Sequence, residues 1–332
     1  MYTIVAAALV SLGLSGVCAS QPAGSRDRTE LWGFTAPWDP ASAASVARNG
    51  HRLHAVVTGW IALDSASARP FVAAELRDTQ RLARGTQWLA IVTSYHRDRF
   101  HARPIRTLAA RPALLGEAAR WIAQHAATGG YRGLVLDFET LEPRDLDAQL
   151  AVVRAVRDSA RARGVSMVAV AVPAVDAASY PVRRLLAVAD LVLVMLYDQH
   201  WLTSGPGPIA DPAWVARALA ARIAEAGDAR RVIAALPLYG YRWRRGAPTE
   251  IVSFSDARRI AAETRTPLAR DAASQTLRAT RADWDLWVTD AELVRRLVRE
   301  ARDLGVRRLA FWRLGQEDPA LWAALARTAS AR

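Results

Sequence analysis

The chain contains no lysine: all 44 of its basic residues are arginine. The arginines alternate with alanine and acids along helical stretches and never gather into a dense basic block. The net charge of +12 therefore fits solvated helix faces better than a nucleic-acid surface, and no nucleic-acid motif accompanies it. A basic surface still favours approach to anionic polymers such as cell-wall material. Cysteine is nearly absent as well. The only one is Cys18, so no disulfide can form within the chain. The apolar run from Thr3 to Val17 is too short to span a membrane. No glycine fingerprint of a dinucleotide site follows the first apolar run, which argues against an open nucleotide-binding sheet.

What is present is globular. At 332 residues, 52% hydrophobic and 23% charged, the chain is long enough for a large core. Val17-Cys18-Ala19 fits a small-x-small cleavage site, so residues 1–19 are expected to be a signal peptide. Export to the periplasm or outside the cell follows from that expectation, and removal of the segment would leave no thiol. Residues 20–30 form a polar spacer. From Leu31 onward, eight short apolar runs alternate with Ala-, Arg- and Leu-rich stretches of helical spacing. The runs are Leu31–Ala36, Leu53–Leu63, Trp88–Thr93, Gly133–Glu139, Val165–Pro173, Leu191–Asp198, Val232–Leu238 and Arg308–Leu314. Pro143–Arg163 and Asp211–Ala226 are examples of the helical stretches. Eight such units on about 300 residues predict a closed (β/α)8 TIM barrel covering 31–332. The long gap between runs seven and eight predicts a small α+β insertion from Tyr241 to about Asp285.

One run carries acids. Gly133-Leu134-Val135-Leu136-Asp137-Phe138-Glu139 reads as a strand buried on both faces. Side chains alternate along a strand, so Val135, Asp137 and Glu139 share one face, and Leu134, Leu136 and Phe138 the other. Unpaired charge in such a strand is costly. The two acids either meet arginines, hold a metal, or do chemistry. In a barrel of this kind the carboxyl ends of the strands form the site. Other strand ends bring aromatics there: Trp38, Trp60, Tyr197, Tyr239, Tyr241 and Trp312. Each taken alone fits plain core packing, as does Met195. Together they describe an acid pair in an aromatic-lined mouth, which suits the apolar faces of sugar rings.

Several of these segments resemble motifs of family-18 glycoside hydrolases. Gly133–Glu139 is similar to the fourth-strand signature Asp-Gly-x-Asp-x-Asp-x-Glu. Met195-Leu196-Tyr197-Asp198 resembles the sixth-strand Met-x-Tyr-Asp, and Trp312 the eighth-strand tryptophan under the sugar. Tyr197–Trp201, Ser204–Pro208, Leu236–Trp243 and Trp312–Asp318 resemble segments of the bacterial cell-wall and spore-cortex N-acetylglucosaminidase branch. The resemblance covers nearly everything from Leu31 to Trp322. It implies a TIM-barrel hydrolase that cleaves β-linked N-acetylglucosamine glycans, peptidoglycan or chitin-like, with the substrate's own acetamido group as nucleophile. Glu139 would then be general acid and base, Asp137 the partner of the acetamido N–H, and Tyr197 the holder of its carbonyl. Met195, Asp198, Trp312, Trp60, Trp38 and Tyr239 would line the sugar site. No cofactor or metal is implied, the partner is the polysaccharide, and a monomer is expected.

Two positions depart from the full signature. Arg132 stands where the first aspartate falls, far from the mouth. Val135 stands where the second falls, on the same face as Asp137. Two classes of function remain open at this point: a hydrolase, which the presence of Glu139 favours, and a non-catalytic carbohydrate-binding protein of the same fold.

Overall fold

The computed structural model describes residues 29–74, 83 and 85–330. The expected signal peptide and nearly all of the polar spacer lie outside the described residues. Eight parallel strands form the centre: β1 Glu30–Phe34, β2 Ala55–Leu63, β3 Gln87–Thr93, β4 Gly133–Asp137, β5 Met167–Pro173, β6 Leu191–Met195, β7 Val232–Pro237 and β8 Arg308–Trp312. Each pairs with its neighbour in sequence, and β8 pairs back onto β1, so the sheet closes. Closure removes the exposed edges that an open sheet would leave. All eight expected strands are found, and the fold is a (β/α)8 barrel.

The sequence overran several strand ends. β4 stops at Asp137 rather than Glu139, β6 at Met195 rather than Asp198, and β8 at Trp312 rather than Leu314. Beyond each end the apolar residues Phe138, Leu196 and Leu314 pack in the outer core, while Glu139, Tyr197, Asp198 and Arg313 turn out of the ladder to line the barrel mouth. The stretch expected as one helix over Pro143–Arg163 begins with a 3-10 turn, Pro143–Asp145, before the helix Leu146–Arg161.

Strand alternation produces two apolar layers. Phe34, Val57, Ile91, Val135, Ala171, Leu193 and Ala235 point into the barrel with Trp60 and Trp32. Val56, Val92, Leu134, Leu136, Phe138, Val170 and Val194 point outward, under the helices. The inward face of β4 thus carries Val135 and Asp137 as expected, while Glu139, expected on the same strand, lies beyond its end. Several helices start where a polar side chain caps them. Asp211 accepts from the Trp214 N–H at 2.9 Å and Asp290 from Leu293 at 3.0 Å, satisfying amides that the first turn leaves unpaired.

The insertion lies between β7 and β8 and runs from Gly240 to Val288, slightly wider than expected. It is a five-stranded antiparallel sheet with Gly240–Arg244 paired to Trp284–Val288. One helix, Phe254–Glu263, packs on it and is capped by the Ser253–Asp256 box. Val252, Phe254, Ile260, Trp284 and Leu286 give this lobe a core of its own. Among the described residues, no helix is long and apolar enough to cross a membrane.

Candidate active site

The carboxyl end of β4 is held by β3. Thr93 faces Asp137 across the parallel ladder, and its Oγ1 donates to Asp137 Oδ2 at 3.3 Å. The Ser94 N–H donates to the Asp137 carbonyl at 3.1 Å. Asp137 is 9% exposed. Glu139 follows in the turn beyond the strand, half-buried, and among the described residues no side chain donates to its carboxyl. Burial pushes the pKa of Asp137 up, against the pull of the Thr93 hydroxyl. Burial pushes Glu139 up as well, and the facing carboxyls of Asp137 and Asp198 add to it. Loss of hydration disfavours the charged form, and like charges disfavour it further. Glu139 is therefore protonated near neutral pH, the state a proton donor needs.

Past the end of β6, Tyr197 and Asp198 turn into the same space. Asp198 adopts φ 57°, a left-handed conformation that aspartate tolerates better than most residues. That turn lifts its carboxyl toward the insertion. Tyr241 donates to Asp198 Oδ1 at 2.9 Å, and Tyr239 donates to the same oxygen at closer range. Asp198 is exposed at the mouth, yet the packing around its carboxyl raises its pKa while the two hydroxyls lower it. The Tyr197 hydroxyl is pushed well above its ordinary value, first by burial and then by Glu139, Asp137 and Asp198. It stays a donor.

The aromatics form the opposite wall. Trp312, at the end of β8, packs against Phe34 with ring centroids 5.5 Å apart and against Trp60 at 6.3 Å. Trp38 meets Trp60 edge to face at 5.1 Å and is 63% exposed. Arg313 lies over Trp38 at 5.9 Å and pairs with Asp39 at 2.6 Å. Trp60 faces inward because β2 contains a bulge. Thr58 pairs with Ala90 and Trp60 with Ile91, so Gly59 has no partner on β3. Gly59 sits at φ +65°, and a Cβ there would lie 2.2 Å from the Tyr131 hydroxyl. Only glycine fits both demands.

Asp137, Glu139, Tyr197, Met195, Asp198, Trp312, Trp60, Trp38 and Tyr239 all line one cavity of about 350 Å³. Met195 and Trp312 serve twice, since both also pack on the barrel interior. Tyr239 lines the wall, but its hydroxyl is committed to Asp198. Sequence reading missed the roles of Thr93 and Arg313. Thr93 could have been found by counting the inward face of β3 from Ile91. Arg313, the one cation among the lining residues, had no distinguishing signal among 44 arginines.

Comparison with known proteins agrees with this architecture. No family model matches the chain. The provisionally named sporulation-specific glycosylase YdhD of Bacillus subtilis is 26% identical over 241 residues, covering 68% of this chain and 57% of that protein. The chain spans 50–60% of the length of the curated relatives it matches. The spore cortex-lytic enzyme SleL of Bacillus cereus superposes with a TM-score of 0.81 at 18% identity, covering 92% of this chain and 75% of that one. A class V chitinase from Pseudomonas fluorescens Pf-5 gives 0.79 at 24% identity, covering 90% and 98%. The fold is thus that of the spore cortex-lytic enzyme and the chitinase. The resemblance to chitinase-like hydrolases read from the sequence stands, with the spore-cortex proteins among its neighbours.

Proposed function

We propose that this protein is a glycoside hydrolase of β-linked N-acetylglucosamine glycans, peptidoglycan or chitin-like, working by substrate-assisted retention. The observation that carries the reading is the placement of the carboxyls. Glu139 stands at the mouth of an aromatic cavity, where burial and the facing acids favour its protonated form. Asp137 is two residues away in the chain and lines the same cavity, and Asp198 is engaged by two tyrosines. Among the lining residues this leaves no acid as an opposed nucleophile. A 2-acetamido group on the sugar supplies one. Its carbonyl oxygen attacks the anomeric carbon while Glu139 protonates the departing oxygen. Asp137 accepts the acetamido N–H and offsets the charge that develops on the ring formed. The Tyr197 hydroxyl donates to the acetamido carbonyl. Glu139, now ionised, takes a proton from the water that opens the intermediate, which restores the starting configuration. Trp312 and Trp60 give the sugar an apolar floor. The names of the superposing chitinase and cortex-lytic enzyme support the substrate class, as does the aromatic lining.

The test is cleavage of a soluble N-acetylglucosamine oligomer beside its fully de-N-acetylated counterpart. The first should be cut and the second should not, and a stable thiazoline mimic of the intermediate should inhibit. Equal cleavage of both polymers refutes the mechanism. Binding without any cleavage of chitin oligomer or peptidoglycan favours a carbohydrate-binding protein, the reading to which Val135 points.

A further inference from the structure

We infer that Tyr180 is the positioning residue for Glu139: its hydroxyl closes the turn that carries the acid, and Arg222 fixes Tyr180 from behind. The inference rests on Glu139 being the general acid. The ladder of β4 ends at Asp137, so the turn needs other partners. Thr140 lies at φ 59°, a region that non-glycine residues hold only when their surroundings impose it. Tyr180 supplies that surrounding. Its hydroxyl donates to the Phe138 carbonyl at 2.9 Å and accepts from the Leu141 N–H at 3.0 Å. One hydroxyl therefore brackets Glu139 and Thr140 from both sides. Tyr180 is 2% exposed, so no water can replace either bond without opening the packing.

Tyr180 is itself anchored. Arg222, on the helix Pro212–Ala226, is 1% exposed. Its Nη1 donates to the Tyr180 carbonyl at 3.2 Å and to Glu225 at 3.0 Å. Its Nη2 reaches the Pro173 carbonyl at 2.7 Å, and its Nε the Ala174 carbonyl at 3.1 Å. Glu225 also accepts from the Val182 N–H at 3.0 Å. A buried guanidinium is tolerated only when its donors are satisfied. Here they tie the end of β5 and the loop after it to the helix, which places Tyr180 under the β4 turn. Loss of the hydroxyl alone would orphan two buried backbone groups while leaving the ring in place.

The turn decides how dry Glu139 is. The titratable groups facing it are Asp137 at the end of β4, Asp198 and Tyr197 beyond β6, and Tyr180 from the β5 loop. A loosened turn admits water, and the acid then ionises at lower pH.

The experiment compares full-length wild type, Glu139→Gln and Tyr180→Phe on a soluble N-acetylglucosamine oligomer, with kcat and KM measured across pH. Tyr180→Phe should lower kcat about tenfold or more, toward the 10²-fold that a misplacement of an ångström costs. KM should hold, and the alkaline limb of the kcat profile should move to lower pH. Incorporation of 3-fluorotyrosine at position 180 keeps the hydroxyl and should restore kcat. A Tyr180→Phe protein with wild-type kcat and an unmoved limb, beside an inactive Glu139→Gln, overturns the inference alone. A loss of kcat that only follows the folded fraction, with the limb unmoved, also overturns it. Full hydrolysis by Glu139→Gln would overturn the reading of the site and the inference with it.

Discussion

Carboxyl groups in this protein live in two different societies. On the outer shell they meet arginine. Glu292 is bonded by Arg295 at 2.7 Å, and Glu250 by Arg242 and Arg244 at 2.8 Å. Arg106 reaches Asp145 at 2.9 Å. Arginine hydrogen bonds hold the pKa of Glu292 and Asp145 down; at Glu250 the same bonds outweigh burial. In the barrel mouth Asp137, Glu139 and Asp198 have no such partner among the described residues, and all three are pushed up. Cations are not scarce, since 44 arginines stand against 32 acids. The one arginine lining the cavity is bonded to Asp39 instead. The contrast therefore marks the mouth as a place where ionisation is deliberately hard, the condition for a proton donor at neutral pH.

The sharpest break of this contrast removes the donor. Under the proposed mechanism Glu139→Gln should cut hydrolysis by roughly 10²–10⁴-fold or more, because general acid catalysis has that weight and one residue would act in both steps. Oligosaccharide binding should persist, and calorimetry with the variant would check it. Asp137→Asn should come next, strongly impaired because the acetamido partner is lost. Val135→Asp places a second carboxyl on the inward face of β4, beside Asp137. Close carboxyls share protons, so the acid limb of the pH–rate profile should change shape whatever happens to the rate. Superimposable profiles for wild type, Val135→Asp and Asp137→Asn would mean that β4 is not the reacting strand.

Smaller effects test the outer half. Arg106→Ala leaves Asp145, whose side chain is 2% exposed, without its cation. That should cost about 1–3 kcal/mol, read as a lower Tm, with kcat unchanged. In the mouth the sign reverses. A carboxyl whose folded pKa is raised stabilises the fold relative to high pH only while it stays protonated, and that advantage is lost as pH rises through its folded value. Wild type should therefore lose stability from the ordinary carboxylate range upward, and Glu139→Gln should escape that loss. Its stability advantage over wild type should be near zero at pH 4 and grow toward pH 8 by on the order of a few kcal/mol, read as a widening difference in Tm. An advantage that shrinks with rising pH would contradict the buried, protonated Glu139. Least of all, Arg259→Ala should leave the Tm essentially unchanged, since its pairs with Asp256 and Glu263 are exposed.

The barrel was legible because its strands are buried on both faces and write themselves as apolar runs. The inward set of β4 was legible because alternation is strict. Strand ends were not, because Phe138, Leu196 and Leu314 stay apolar after the ladder stops: each packs in the outer core. Tyr180 left no trace in the sequence. It lies 41 residues from Glu139, and only the fold brings its hydroxyl to the turn. Arg222 is one arginine among many, distinguished solely by burial. Trp60 was placed at the mouth by the aromatic count of the strand ends, while plain alternation from Val57 would have turned it outward. The solitary Gly59 was the readable signal for the bulge that resolves this.

That bulge makes the parity of β2 depend on one unpaired residue. Because Thr58 and Trp60 already face consecutive residues of β3, removing Gly59 closes the ladder with every side chain on its present side. Exchanging Gly59 for a larger residue keeps the count but drives a Cβ into the Tyr131 hydroxyl. At this point in the chain a missing residue is the milder lesion and a changed one the harsher, the reverse of the usual order within a strand.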